Sequence, residues 1–179
     1  MPRRYPWYEI VTGADLEQGD ILRACPVILP ATDLAHPLPA DEIPADVVTF
    51  DVVVMTQSCD LVNDKVTDVI LCPHWDLVQA GNMDNSLASQ DTQKAILKGY
   101  RHRYTMLAES NEPEAPMGVR IVDFGRIFSL PKAFVRQRAS DQGKRLRLCP
   151  PYREHLSQAF ARFFMRVGLP QDIELPQGR

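Results

Sequence analysis

Two apolar runs rich in β-branched residues, Val47 to Met55 and Val66 to Cys72, flank the polar stretch Thr56-Gln57-Ser58-Cys59-Asp60 and a loop around Asn63-Asp64-Lys65. The first run has the profile of a strand buried on both faces, and the second returns as another apolar strand. The pair therefore predicts the centre of a sheet, arranged as a hairpin or as adjacent strands joined by a long turn. A chain of 179 residues buries roughly two-thirds of the surface its unfolded form exposes. One domain over 1–179 can then close a core around these strands without disulfides or a structural metal.

The flanking segments alternate in period. Gly19-Asp20 turns into Ile21 to Leu29, a strand that Pro26 should bend or place at an edge, and residues 30–46, with Pro30, Pro37, Pro39 and Pro44, read as an extended surface loop. Asp84 to Lys98 changes to helical spacing, with Asn85 or Ser86 as N-cap and Gly99 as the stop. Residues 101–108, Val119 to Phe124, Arg126 to Leu130 and Lys144 to Leu148 are further strand candidates, and Glu109 to Pro116 is an acidic proline loop. After Pro150-Pro151, the residues Leu156, Ala159, Phe160, Phe163, Phe164 and Val167 recur at three and four until Gly168-Leu169-Pro170, which predicts a closing helix. The fold class expected is α+β.

Hydrophobic residues at 45% and charged residues at 24% match globular averages and exclude disordered, fibrous and membrane-embedded classes. No apolar run reaches the length of a spanning helix, and Met1-Pro-Arg-Arg-Tyr-Pro-Trp-Tyr has no signal-peptide core. The expectation is a cytoplasmic protein with no membrane contact, whose Cys25, Cys59, Cys72 and Cys149 stay reduced. The net charge of -3 hides a division: residues 1–100 hold 6 Lys+Arg against 15 Asp+Glu, and residues 101–179 hold 14 against 8. Either the halves pair with each other, or the second half presents a basic face to an acidic partner.

Strand ends present functional side chains, which makes Thr56, Ser58, Cys59 and Asp60 candidate catalytic residues. Cys59 would be a nucleophile if His74, at the end of the following strand, lay beside it with Asp60 or Asp76 as orienter. The alternative is that the hydroxyls and Asp60 tie down the turn while Cys59 packs as a small apolar residue. A metal set of Cys25, Cys59, Cys72 and His74 lacks any Cys-x-x-Cys pair, so no metal or cofactor is assigned. Arg126, Lys132, Arg136, Arg138, Lys144, Arg145 and Arg147 form the densest basic stretch and are the candidate nucleic-acid contacts, with RNA as the partner class. Phosphate-loop, nucleophile-elbow and zincin motifs are absent from the sequence.

Gly19-Asp20-Ile21-Leu22, Val52-Val53-Val54-Met55-Thr56, Val69-Ile70-Leu71-Cys72-Pro73 and Val122 to Leu130 occur in an order that resembles the MazF/PemK family. The resemblance implies an SH3-like β-barrel, here with an inserted helix in about 75–117 and a C-terminal helix. It also implies a toxin–antitoxin or defence-related setting, a homodimer, and metal-independent cleavage of RNA in which Thr56 takes the place of the family's strand-end hydroxyl. The family's Arg before the central strand is missing, since this chain reads Pro44-Ala45-Asp46-Val47 there. A phosphate transition state needs a fixed cation. The expected function is therefore a non-catalytic or regulatory domain with a protein partner, and the alternatives are an active ribonuclease and a Cys59/His74 thiol or metal site.

Overall fold

A computed structural model describes residues 5–31 and 44–165. Most of the expected 30–46 loop, residues 1–4, and the stop at Gly168-Leu169-Pro170 fall outside the described residues. The elements in chain order are β1 (Tyr8–Val11), β2 (Ile21–Pro30), β3 (Ala45–Val54), α1 (Ser58–Val62), β4 (Asp68–Asp76) and α2 (Leu77–Met83). A 3-10 turn (Asn85–Ala88) leads to α3 (Gln90–Leu97), β5 (Tyr104–Leu107), β6 (Arg120–Asp123), β7 (Phe128–Pro131), α4 (Lys132–Gln142), β8 (Arg145–Leu148) and α5 (Tyr152–Phe164). The chain is α+β.

The two apolar runs are antiparallel neighbours, with Val52 opposite Pro73 and Val54 opposite Leu71. Alternation then sends their side chains into two cores. Val53 and Cys72 join Phe124, Leu148 and Leu156 under α5, whereas Val52, Val54, Val69 and Leu71 join Val135 and Ala139 of α4. The expectation of burial on both faces holds for Val52 to Met55 only, because residues 45–49 of β3 are exposed.

The sheet runs β2-β3-β4-β6-β5, and β4 also pairs with β7 through Asp68 to Leu71. No ladder joins β2 to β5 among the described residues, so the strands do not close into a barrel there. The reason lies in the insertion: β6 takes β5 as its partner, and α3 packs beside β5. The expected single helix over 84–98 is broken. Ser89 is extended (φ -71°, ψ 130°) between the 3-10 turn and α3, and Asp84 caps the turn by accepting from Ser86 N at 2.9 Å. One helix was not anticipated in the basic stretch: α4 buries only Val135 and Ala139, four residues apart.

β1 and β8 form a two-stranded ribbon, tied to the sheet by an Asp20 to Arg147 bridge. Gly19 makes that junction possible. Its φ is +89°, its N donates to Val54 O and its O accepts from Leu148 N, and a Cβ there would stand 2.8 Å from Leu148 Cβ. Beside it, the fully buried Asp20 accepts from Arg145 Nε at 3.1 Å and from both Nε and Nη2 of Arg147. Arg145 also donates to Gly13 O and Asp15 O, which leaves its charge paired and each of its guanidinium nitrogens with a partner.

Removing the carboxylate charge while two guanidiniums stay enclosed leaves uncompensated buried charge. Asp20→Asn is expected to cost about 3–5 kcal/mol of folding stability, measured as the shift in a urea unfolding curve. A change under about 1 kcal/mol, within the range of an exposed ion pair, would show that the cluster is not anchoring the ribbon.

Candidate functional site

The turn after β3 spends its polar groups on structure. Thr56, 8% exposed, accepts from Ile70 N at 2.7 Å through Oγ1, and Ser58 Oγ accepts from Gln18 N at 3.1 Å. Gln18 in turn donates to Met55 O at 2.8 Å, and Gln57 donates to Ser157 Oγ of α5 at 3.0 Å. These bonds satisfy backbone groups that the strand end would otherwise leave open.

Cys59 is exposed at the mouth of a cleft of about 370 Å³ between this turn and α5, lined by Gln18, Gln57, Ser58, Arg153 and Ser157 among others. Its Sγ lies 3.6 Å from Asp60 Oδ1, and Asp60 faces Lys65 at 3.9 Å. No imidazole lines the cleft among the described residues.

The structure does not bring His74 to Cys59. His74 lies past the β3 pairing on β4, opposite Val122 of β6, and is 1% exposed. Both ring nitrogens are buried without a hydrogen-bond partner among the described residues. Burial pushes its pKa down to about 3; Asp51 works against this, while Arg120 and Arg23 add to it. The expected Cys59/His74 couple is therefore corrected to a lone exposed thiol and a neutral buried imidazole. The metal reading has no support in the geometry either: Cys25 and Cys72 are buried, and no group of three metal-ligating side chains converges among the described residues.

The basic residues separate by burial. Arg145 and Arg147 are enclosed by Asp20 and Glu17, with Arg145's side chain 0% exposed, so they are structural cations that cannot track a phosphate backbone. Alternating Arg and Leu on a strand would ordinarily give one wet face, but in β8 all four residues are buried because the 13–20 segment covers the arginines. Lys132 donates to Leu61 O and Asp64, and through that bond it holds the Asp64 carboxyl below the usual range. Arg136 pairs with Asp15, Arg138 donates to Arg23 O at 2.7 Å, and Lys144 pairs with Glu114. Arg126 alone of the seven has no hydrogen bond or ion pair from its guanidinium among the described residues, and it lies over Phe50 and Trp75.

Sequence reasoning missed a second cleft, of about 340 Å³, beside that arginine. Trp75, Asp84, Arg103, Tyr104 and Asp123 meet there, brought from β4, the 3-10 turn, β5 and β6. Only Arg126 carried a signal, as part of the basic stretch. The other residues are spread over nearly fifty positions and share no spacing. No protein-family model, curated protein or solved structure matches the chain.

The orphaned imidazole makes stability depend on pH. The unfolded chain takes up a proton on His74 near pH 6.5, and the folded chain resists until about pH 3. Stability is therefore full above 6.5 and falls as pH drops, by up to ~1.4 kcal/mol per unit across that window. His74→Leu removes this component. The difference in unfolding free energy between parent and variant should widen in the variant's favour from pH 7 to pH 4.5, and a difference independent of pH would contradict the buried neutral state.

Proposed function

We propose that this chain is a non-catalytic interaction domain that docks a protein partner on the arm formed by β2 and β3. One observation carries the reading. Ile28 and Val47 are cross-strand neighbours on this arm, 70% and 69% exposed, with Pro30 and Ala45 beside them, also exposed. Apolar side chains exposed side by side on neighbouring strands mark a contact region.

The edge of β2 strengthens it. From Ile21 to Arg23, side chains of α4 occupy that edge, since Gln142 accepts from Arg23 N and donates to Ile21 O while Arg138 donates to Arg23 O. From Cys25 to Pro30 no strand or helix bond covers it among the described residues. An uncovered edge beside an apolar face is suited to strand addition by another protein. The commitment of Thr56 and Ser58 to backbone bonds and the separation of Cys59 from His74 argue against a catalytic reading.

The finer fold is an open version of the SH3-like, MazF/PemK-similar barrel. The Asp20 to Arg147 bridge, which joins β8 to the start of β2, and the shared use of β4 by β3, β6 and β7 support that reading. A toxin–antitoxin or similar regulatory setting is the context it suggests. Self-pairing through the same arm is the competing occupant, and sedimentation separates the two.

The full chain, isolated from its native cells, should bring down one protein in comparable molar amount and sediment as a monomer when alone. Ile28→Lys with Val47→Lys should lose the partner with a stability change of about 0.5 kcal/mol or less, as for exposed positions generally. Retention of the partner by the double variant would remove the arm from consideration. Cutting of single-stranded RNA that Thr56→Ala abolishes would replace this reading with the ribonuclease.

A further inference from the structure

The cleft at Trp75 lies between the inserted segment and the end of β6, and no residue of β2 or β3 lines it. Its floor is apolar, with Ala80 and Leu87 buried, and Trp75 and Tyr104 are half-buried at its wall. A volume of about 340 Å³ lies at the lower end of the range for small-molecule sites. It would admit one nucleobase with part of its sugar and phosphate.

Two arginines border this space in different states. Arg103 is half-exposed yet held in one orientation: Nε and Nη2 donate to the two oxygens of Asp123, both at 2.8 Å. Asp123 is itself 4% exposed and also accepts from Gly125 N at 2.8 Å. The turn leaves room for this fork only because residue 125 is glycine, where a Cβ would stand 2.6 Å from Arg103 Nε. Arg103 Nη1 keeps its protons free of protein partners among the described residues, and the guanidinium lies 5.2 Å from the Tyr104 ring centre. Arg126 offers all its donors, positioned by ring contacts at 5.9 Å to Trp75 and to Phe50.

The paired bonds to buried Asp123 hold the half-exposed Arg103 guanidinium in place before any ligand arrives. A fixed guanidinium next to aromatic faces matches a planar group joined to an oxyanion. Asp84 on the helical side limits the choice further. It would repel a simple anion, yet it can accept from N–H groups of a base. With Asp123 spent on Arg103, the groups left for a ligand are the aromatic rings, Arg126, the outer edge of Arg103 and Asp84, and a base joined to phosphate satisfies them together.

We propose that this cleft binds a free nucleoside monophosphate, with the base against Trp75 and Tyr104 and the phosphate on Arg103 and Arg126. The site does not depend on the docking reading, and either can fail alone. Equilibrium dialysis of the full chain against radiolabelled GMP is the test, with guanosine, inorganic phosphate and a single-stranded oligoribonucleotide bearing a 5′-hydroxyl as competitors.

One saturable site per chain is expected, with guanosine and phosphate each competing more weakly than unlabelled GMP. Arg126→Ala, at an exposed position whose guanidinium has no polar partner among the described residues, should weaken binding by about tenfold or more, as loss of a charge-assisted contact does. Arg103→Lys keeps the charge and loses the fork, and should weaken it similarly. Absence of saturable binding overturns the proposal, as does GMP binding unchanged by Arg126→Ala. Phosphate competing as well as GMP would mean a plain anion site, and the oligoribonucleotide competing better would mean a strand-binding surface; both outcomes overturn it.

Discussion

The buried ion cluster of Asp20 with Arg145 and Arg147 joins the two ends of the described chain to the sheet between them. Asp20 sits at the start of β2, and the arginines lie more than a hundred residues later on β8. Their bonds to Gly13, Asp15 and Glu17 wrap the N-terminal segment over the guanidiniums. With each guanidinium nitrogen and both carboxylate oxygens partnered, the enclosed charges set the register of the ribbon against the sheet. A slip of one residue would present Leu146 to a carboxylate. Gly19 contributes a backbone conformation and a close approach to Leu148 that a side chain would prevent.

Once the ribbon is seated, the sheet is covered on both faces by unlike helices. α5 closes its face with aromatic bulk, where Phe160 and Phe163 meet Phe124 at 5.4 and 6.4 Å between ring centres. α4 closes the other with Val135 and Ala139 and uses its longer side chains to tie loops and the β2 edge. The acidic first half and the basic second half meet across these contacts, at Asp15 with Arg136, Asp51 with Arg120 and Asp64 with Lys132. Part of the charge division along the chain becomes, in three dimensions, a set of pairs between its two halves.

What this packing leaves uncovered is informative about use. The β2–β3 arm extends past the helices with Ile28 and Val47 outward, and the insertion encloses a cleft in which Arg126 has no acidic partner among the described residues. The polar turn at Thr56 to Asp60 looked the most reactive feature in one dimension. In the fold its hydroxyls are satisfied by Ile70 and Gln18, and its thiol is remote from the imidazole that would have activated it.

The sequence by itself determined the elements whose stability is local or periodic. The strands at Val52 and Val69 were legible because β-branched runs suit few other structures, and α5 because its apolar residues recur at helical spacing over three turns. α4 was not legible, since two buried residues four apart leave almost no periodic signal among charged neighbours. The break at Ser89 and the burial of Arg145 and Arg147 were hidden for a related reason: each depends on what packs against it. Tertiary structure alone decided which arginines are enclosed, which face a cleft, and that Cys59 and His74 lie apart. Burial and charge pairing are properties of neighbours brought together from distant positions, and composition along a chain carries no record of that distance.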